Sequence, residues 1–473
     1  MKYFLTLIQL WVGFLSICAS YPKANIWIIP SVESPQVYRN YAQTSKVHLE
    51  MARGEVEHIQ LVFPSKVNEE YRFTFDRYLK GIQISARELK KMNGYYDALV
   101  PFKNQLKCTD TLTAVWITVQ CPSRVPVGKY HQTIKIEGSK HFTIQLDYNV
   151  HHTTIPLKSS IPITVGVENR CMTEGLNDKE ADKERQRWVD FVLSYRMTPV
   201  FGTQITPERW QYEHSFSPWA WNDKRSIRLL NDRRYSCYML PFFTLSENEL
   251  ASLLCNIQKK GKLKESLFYI WDEPAYMEDY EQIKRKVNII RKYASDARIL
   301  TTFFCGPRNG PRKGDLYAVF DYLKHHIHVA TISLAPCKGN EEEVQHIRYK
   351  VPEGIDWWSY VCWQPGGNEP NFLLQMKGIQ QRAVMWRTWK NGSQGFLYWN
   401  CNIYHKRNPF TYITDMPHGD GILIYPGDIL GCKGPIASAR LERWRDGAEE
   451  MELLRLVEKN YNQIVKAINA HFS

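Results

Sequence analysis

Asp272 and Glu273 stand side by side in "FYIWDEPAYMEDY" (residues 268–280), where a strand-like run stops and Pro274 follows. Carboxylates are what hydrolysis of a glycosidic bond needs, to give and take a proton and to stabilise developing positive charge. Adjacent side chains of a regular strand point to opposite faces, so both acids line one pocket only if the chain turns between them. Pro274 restricts the backbone of the residue before it, which favours such a turn. Even then the acids lie on one flank of a substrate. A conventional retaining pair instead faces across the anomeric carbon at about 5 Å. Neighbouring acids fit a reaction in which the substrate supplies the nucleophile, a 2-acetamido group attacking its own anomeric carbon. Glu273 would protonate the leaving oxygen and later activate water. Asp272 would hold the acetamido N–H and stabilise the oxazolinium charge. A structural alternative stands beside this: Asp272 caps the following helix and Glu273 pairs with a cation.

Strand-like and helix-like segments alternate around these acids. "ITVGVEN", "TPVFGTQI", "YSCYMLPFF", "SLFYIW", "RILTTFFCG", "HVATISLAP", "IDWWSYVCW" and "GFLYWNCN" read as strands. Eight strands with mostly helical connections predict a (β/α)8 TIM-type barrel over residues 158–473, closed by a long terminal helix interrupted near Gly447. "PERWQYEHSFSPWAWNDKRS" reads as a long loop between the second and third strands. Barrel enzymes carry their chemistry at the C-terminal strand ends. Those positions hold Glu168 and Asn169, then Asp272 and Glu273, Cys305 and Arg308, Tyr360 and Trp363, and lastly Trp399, Asn400 and Asn402. Trp363 and Trp399 are candidate sugar platforms or core, and Tyr360 a candidate partner for an acetamido carbonyl or core. No histidine cluster has metal-ligand spacing, no GxSxG elbow occurs, and no cofactor is implied.

Residues 21–157 differ. Short Val-, Ile-, Thr- and aromatic-rich runs broken by Gly and Pro predict a β-sandwich. Residues 1–20 read as a signal peptide, with Lys2, an apolar run and small residues at the cleavage site. The expected product is exported, to periplasm, extracellular space or lysosome, and no later stretch approaches transmembrane length. Cleavage would remove Cys18 and leave an even ten cysteines, with Cys108–Cys121 a plausible bridge. Asn391 opens the one N-glycosylation sequon. The net charge of +12 reads as a solvated basic surface or as attraction to anionic glycans. No nucleic-acid motif is present, and oligomeric state is not encoded in any pattern. The 15 Trp, 27 Tyr and 20 Phe are enough to furnish an aromatic sugar cleft as well as a core.

"FYIWDEP", "WWSYVCWQPGGNEPNF", "QGFLYWNCN", "GDGILIYPG" and "ASARLERWRDGAEEMELL" together resemble glycoside hydrolase family 123 and its relatives. "ARGEVEHIQLVF" and "WITVQCPSRVPVGKY" extend the resemblance to the front of the chain. The resemblance implies a sandwich followed by a barrel and retaining exo-β-N-acetylgalactosaminidase activity by substrate assistance. Asp272 is then the acetamide stabiliser and Glu273 the acid/base. The expected partner is a glycan ending in N-acetylhexosamine, on glycolipid, glycoprotein or oligosaccharide. Two alternatives remain open: an inactive glycan-binding protein, and a two-carboxylate glycosidase in which Glu168 partners Glu273.

Overall fold

A computed structural model describes residues 26–76, 81–206, 211–304, 306–311, 313–315, 318–335, 351–404, 408–409 and 418–472. The leader segment and Cys305 lie outside these residues. The chain forms two compact units. One takes Met1–Pro156, Lys377–Arg382 and Ile436–Ser473; the other takes Leu157–Met376 and Ala383–Pro435.

In the first unit two five-stranded sheets share one core. One sheet runs, in spatial order, Trp27–Pro30, Val56–Pro64, Leu112–Gln120, Gln83–Met92, Tyr95–Pro101. The other runs Lys46–Arg53, His141–Thr154, Gly128–Glu137, Glu70–Phe75, Gln105–Lys107. Alternation explains the layering: Ile134 and Ile136 from one sheet and Leu61, Val115 and Ile117 from the other meet in the same apolar cluster. Four strands between Glu70 and Lys107 carry a weaker pattern, and the sequence reading passed over them.

The terminal helix, Ala439–Phe472, corrects two expectations. It runs through Gly447 without a break, and it groups with the sandwich rather than with the second unit. The reason is buried ion pairing. Arg440 donates to Asp97 Oδ2 from Nε at 3.0 Å and from Nη2 at 2.9 Å, and Arg87 Nη1 lies 2.5 Å from Glu442 Oε1. Packing of this kind outweighs the roughly 1 kcal/mol that one glycine costs a helix.

The Cys108–Cys121 bridge is absent, and both thiols are free and buried. The strand Leu112–Gln120 lies between them, so its extended rise holds them roughly 30 Å apart, far beyond disulfide reach.

The second unit holds a nine-stranded, nearly closed sheet. Its eight parallel members are Ile163–Glu168, Thr198–Thr206, Tyr238–Met239, Ser266–Trp271, Arg298–Phe303, Val329–Ser333, Asp356–Val361 and Phe396–Tyr398, here called strands 1 to 8. Strand 8 pairs with strands 1 and 7. Gly166 on strand 1 permits that approach, because a Cβ there would sit 1.8 Å from the Trp399 carbonyl oxygen. The ninth strand, Gln211–Ser215, lies in the segment read as a loop and pairs antiparallel with strand 2. No ladder joins strands 2 and 3; the two residues of strand 3 pair with strand 4. That gap is spanned by Phe216 N–H donating to the Met239 carbonyl at 2.6 Å and by the Thr198 and Ser236 hydroxyls at 2.8 Å. Leu267, Tyr269, Leu300, Trp358 and Tyr360 fill the interior. Among the described residues no helix is long and apolar enough to cross a membrane.

Candidate active site

Strand 4 carries an irregularity that resolves how two adjacent acids come to share a site. Tyr269 is in register with Leu300, but Trp271 with Thr301, so Ile270 is an extra residue. Such a bulge reverses the alternation beyond it. Tyr269 faces the interior before the bulge. After it, Trp271 turns to the helix Met277–Arg291, where the Lys286 ammonium lies 5.8 Å from its ring. Asp272 therefore falls on Tyr269's side, accepting from the Tyr269 hydroxyl at 2.7 Å and the Thr302 hydroxyl at 2.7 Å. Glu273 then adopts φ 44°. This left-handed conformation costs a residue with a Cβ on the order of 1–3 kcal/mol and persists only where the surroundings impose it. Here the Glu273 N–H donates to Thr302 Oγ1 at 2.9 Å, and the Tyr360 hydroxyl donates to Glu273 Oε1.

Electrostatics separate the two acids. Burial, helped by the neighbouring Asp272 charge, pushes the Glu273 carboxyl up to about 7, against the opposing pull of the Tyr360 hydrogen bond and Arg308. A carboxyl that holds its proton near neutrality is suited to general acid catalysis. Asp272 is exposed at the mouth, and its Oδ2 has no hydrogen-bond partner among the described residues. The structural alternative for the pair is not realised. Asp279, not Asp272, receives the Ala275 and Tyr276 N–H groups at the helix start, both at 2.9 Å. Glu273 forms no ion pair among the described residues.

The remaining sequence candidates divide. Tyr360 is buried yet reaches Glu273. Glu168 is buried, accepts from Arg170 N–H at 3.2 Å, and is pushed up to about 7 by burial. Asn169 is half-buried and donates to Thr203 at 3.2 Å. Asn402 has no exposure. It accepts from Glu168 N–H at 2.8 Å and donates to the Glu168 carbonyl at 3.1 Å, bracketing strand 1 rather than facing solvent. Trp399 packs against the interior cluster and donates to Asp420 at 3.1 Å. Trp363 is 45% exposed, its ring 6.3 Å from Phe304.

Four residues at the site were not singled out from sequence: Tyr269, Thr302, Tyr212 and His214. The last two ride on the unexpected ninth strand. His214 stacks on Tyr269, centroids 4.2 Å apart at 6°. Burial holds its imidazole well below the ordinary value, to about 3, so it is neutral at working pH. Burial and the nearby Glu168 and Asp272 charges push the Tyr212 phenol up. The alternation in "QYEHS" was the available signal.

Residues 183–457 match the glycoside hydrolase 123 catalytic domain, more than half of the chain. The chain belongs to glycoside hydrolase family 123. Its second unit thus carries most of the catalytic domain of a glycoside hydrolase. Over the whole fold it is similar to a family 123 glycoside hydrolase from Clostridium perfringens studied for glycolipid glycan hydrolysis, at 14% identity, covering 94% of this chain and 90% of that one, TM-score 0.68. Lesser likenesses include the Bacteroides ovatus GH5 xyloglucanase in complex with a XXXG heptasaccharide (10% identity, 85% and 98% covered, TM-score 0.28). Another is the Eisenbergiella tayi GH2 β-galacturonidase bound to galacturonate (8%, 84% and 90%, TM-score 0.37). Neither of these last two carries an argument. No curated protein matches.

Proposed function

We propose that this family 123 hydrolase is an exported retaining exo-β-N-acetylhexosaminidase, with N-acetylgalactosamine as its preferred sugar, acting by substrate assistance. The observation that carries the reading is the pair itself: a proton-holding Glu273 beside an Asp272 whose outer oxygen opens to the mouth. In the first step the acetamido carbonyl oxygen forms a bond to C1 as the C1–O bond breaks. Glu273 gives its proton to the departing oxygen, and Asp272 accepts the acetamido N–H. In the second step Glu273 takes a proton from water, which opens the oxazolinium and restores the sugar with retained configuration. The nine-stranded sheet is read here as a (β/α)8 barrel carrying one inserted antiparallel strand. The site then sits at the C-terminal strand ends, where barrel catalysis is found. Export rests on the leader residues 1–20, and a terminal sugar of a glycolipid or related glycan is the substrate class.

The test is hydrolysis of paired aryl β-glycosides, N-acetylgalactosaminide against galactoside, with and without a thiazoline mimic of the oxazoline. Turnover of the acetamido sugar alone, blocked by thiazoline, is expected. Equal turnover of the galactoside would replace this mechanism with the two-carboxylate one. Glycan binding without any turnover would leave a retired hydrolase.

A further inference from the structure

Two hydroxyls meet at one carboxylate oxygen. Asp272 Oδ1 accepts from Tyr269 and from Thr302, both at 2.7 Å, while those two hydroxyl oxygens lie 3.0 Å apart. Each hydroxyl has one proton. With both protons directed to Asp272, the Thr302 lone pairs face the other donor in reach, the Glu273 N–H at 2.9 Å. One hydroxyl therefore touches both acids. It occupies one oxygen of Asp272 and anchors the backbone of Glu273 where that backbone is strained at φ 44°. Thr302 and Tyr269 are buried, so the two donors are shielded from water. The His214 ring lies flat on the Tyr269 ring and fixes its plane. Because His214 stays neutral, it does not draw the Asp272 charge toward itself.

We propose that Thr302, with Tyr269, is a positioning residue: the two hydroxyls saturate one oxygen of Asp272 and thereby aim the other at the acetamido N–H of the substrate. The proposal rests on the substrate-assisted reading above. It makes acetamide orientation a property of strand 5 and of the residue before the bulge, not of Asp272 alone. Without these hydroxyls Asp272 is a carboxylate on an exposed turn with several rotamers open to it. With them, the angle at which it meets the acetamide is set before substrate arrives.

The experiment compares Thr302→Val, Thr302→Ser and Tyr269→Phe in the full chain. It reads kcat and KM on an aryl N-acetylgalactosaminide, inhibition by thiazoline, inhibition by an iminosugar lacking any 2-substituent, and thermal unfolding. A hydrogen bond to a charged group predicts a kcat loss of about 10- to 100-fold for Thr302→Val. Thiazoline should weaken by a similar factor, the plain iminosugar should bind as before, and Thr302→Ser should restore most of the rate. Tyr269→Phe keeps the stack on His214 and should repeat the pattern, which covers the case of a Thr302→Val chain that does not fold. Equal rates in the Val and Ser variants overturn the proposal. So does parallel weakening of both inhibitors with a lowered unfolding temperature, which would make these residues scaffold only. A wild-type enzyme that ignores thiazoline fails the reading itself, and the inference with it. A thiazoline-sensitive wild type with a fully active Thr302→Val fails the inference alone.

Discussion

Acids are buried in both units of this protein, and their company differs. In the first unit several carboxylates of the terminal helix and the sandwich strands are matched to cations. Asp97 meets Arg440, and Glu442 meets Arg87 and Arg445. His58 lies 3.1 Å from Glu442 and 3.2 Å from Asp446, and Arg382 reaches Glu450 and Asp446. The Glu442 carboxyl is held well below the ordinary range by the Arg445, Arg87 and His58 charges, against the opposing cost of burial. In the second unit Asp272 and Glu273 meet hydroxyls: Tyr269, Thr302 and Tyr360. There burial prevails and Glu273 rises to about 7. A buried acid paired with a guanidinium gives up its proton for good and serves the fold. An acid shielded from water and hydrogen-bonded by a hydroxyl rather than ion-paired, as Glu273 is, can still exchange one, which is what general acid catalysis requires.

That contrast can be broken from either side. Glu273→Gln should lower kcat/KM by about 10²- to 10⁴-fold on an N-acetylgalactosaminide, the usual worth of a general acid, with the unfolding temperature nearly unchanged. A large loss of stability instead would make Glu273 structural. Arg440→Ala should do the reverse. It removes the two charge-assisted hydrogen bonds that Arg440 makes to buried Asp97 and should cost about 3–5 kcal/mol in urea unfolding, while the protein that remains folded keeps its kcat. A kcat that falls with stability intact would tie the terminal helix to chemistry.

A finer test is the pH–rate profile. Glu273 must be protonated to act as acid, so kcat/KM should fall as pH rises through about 7. Tyr360 donates to Glu273 and favours its charged form, so Tyr360→Phe should move that alkaline limb upward. A limb that stays in place would remove Tyr360 from the proton inventory. The smallest effect concerns stability. Burial raises the Glu168 carboxyl from its ordinary 4.5 to about 7. Its contribution is complete below the ordinary value and is lost as pH rises through about 7. Unfolding midpoints measured from pH 4 to 8 should fall less steeply in Glu168→Gln than in wild type.

Much of the candidate site was legible in one dimension. The acids followed by Pro274, at the end of a strand-like run with seven more strands in step, marked the candidate site described above. Tyr360 was named, but its partner was not. Tyr269 and Thr302 stayed invisible because each is an ordinary interior residue of its strand, and only a bulge of one residue brings Asp272 to their side. His214 was lost with its strand, since "QYEHS" is polar enough to read as loop. The terminal helix was misassigned because "ARLERWRDGAEEMELL" carries charges on every face, as a solvated helix does. It is instead buried among opposite charges.

Local pattern by itself determined most of the strands and helices, that two kinds of unit follow one another, and that two acids end the fourth parallel strand of the second unit. Backbone propensity and period are properties of neighbouring residues, and sequence states those directly. Tertiary structure alone decided which face Asp272 takes, which hydroxyls hold it, and which unit claims the last helix. Those outcomes depend on register and on charge partners far apart in sequence, such as Asp97 and Arg440 or Asp272 and Thr302. No local pattern records such pairs, because the energy that selects them exists only once the strands are packed.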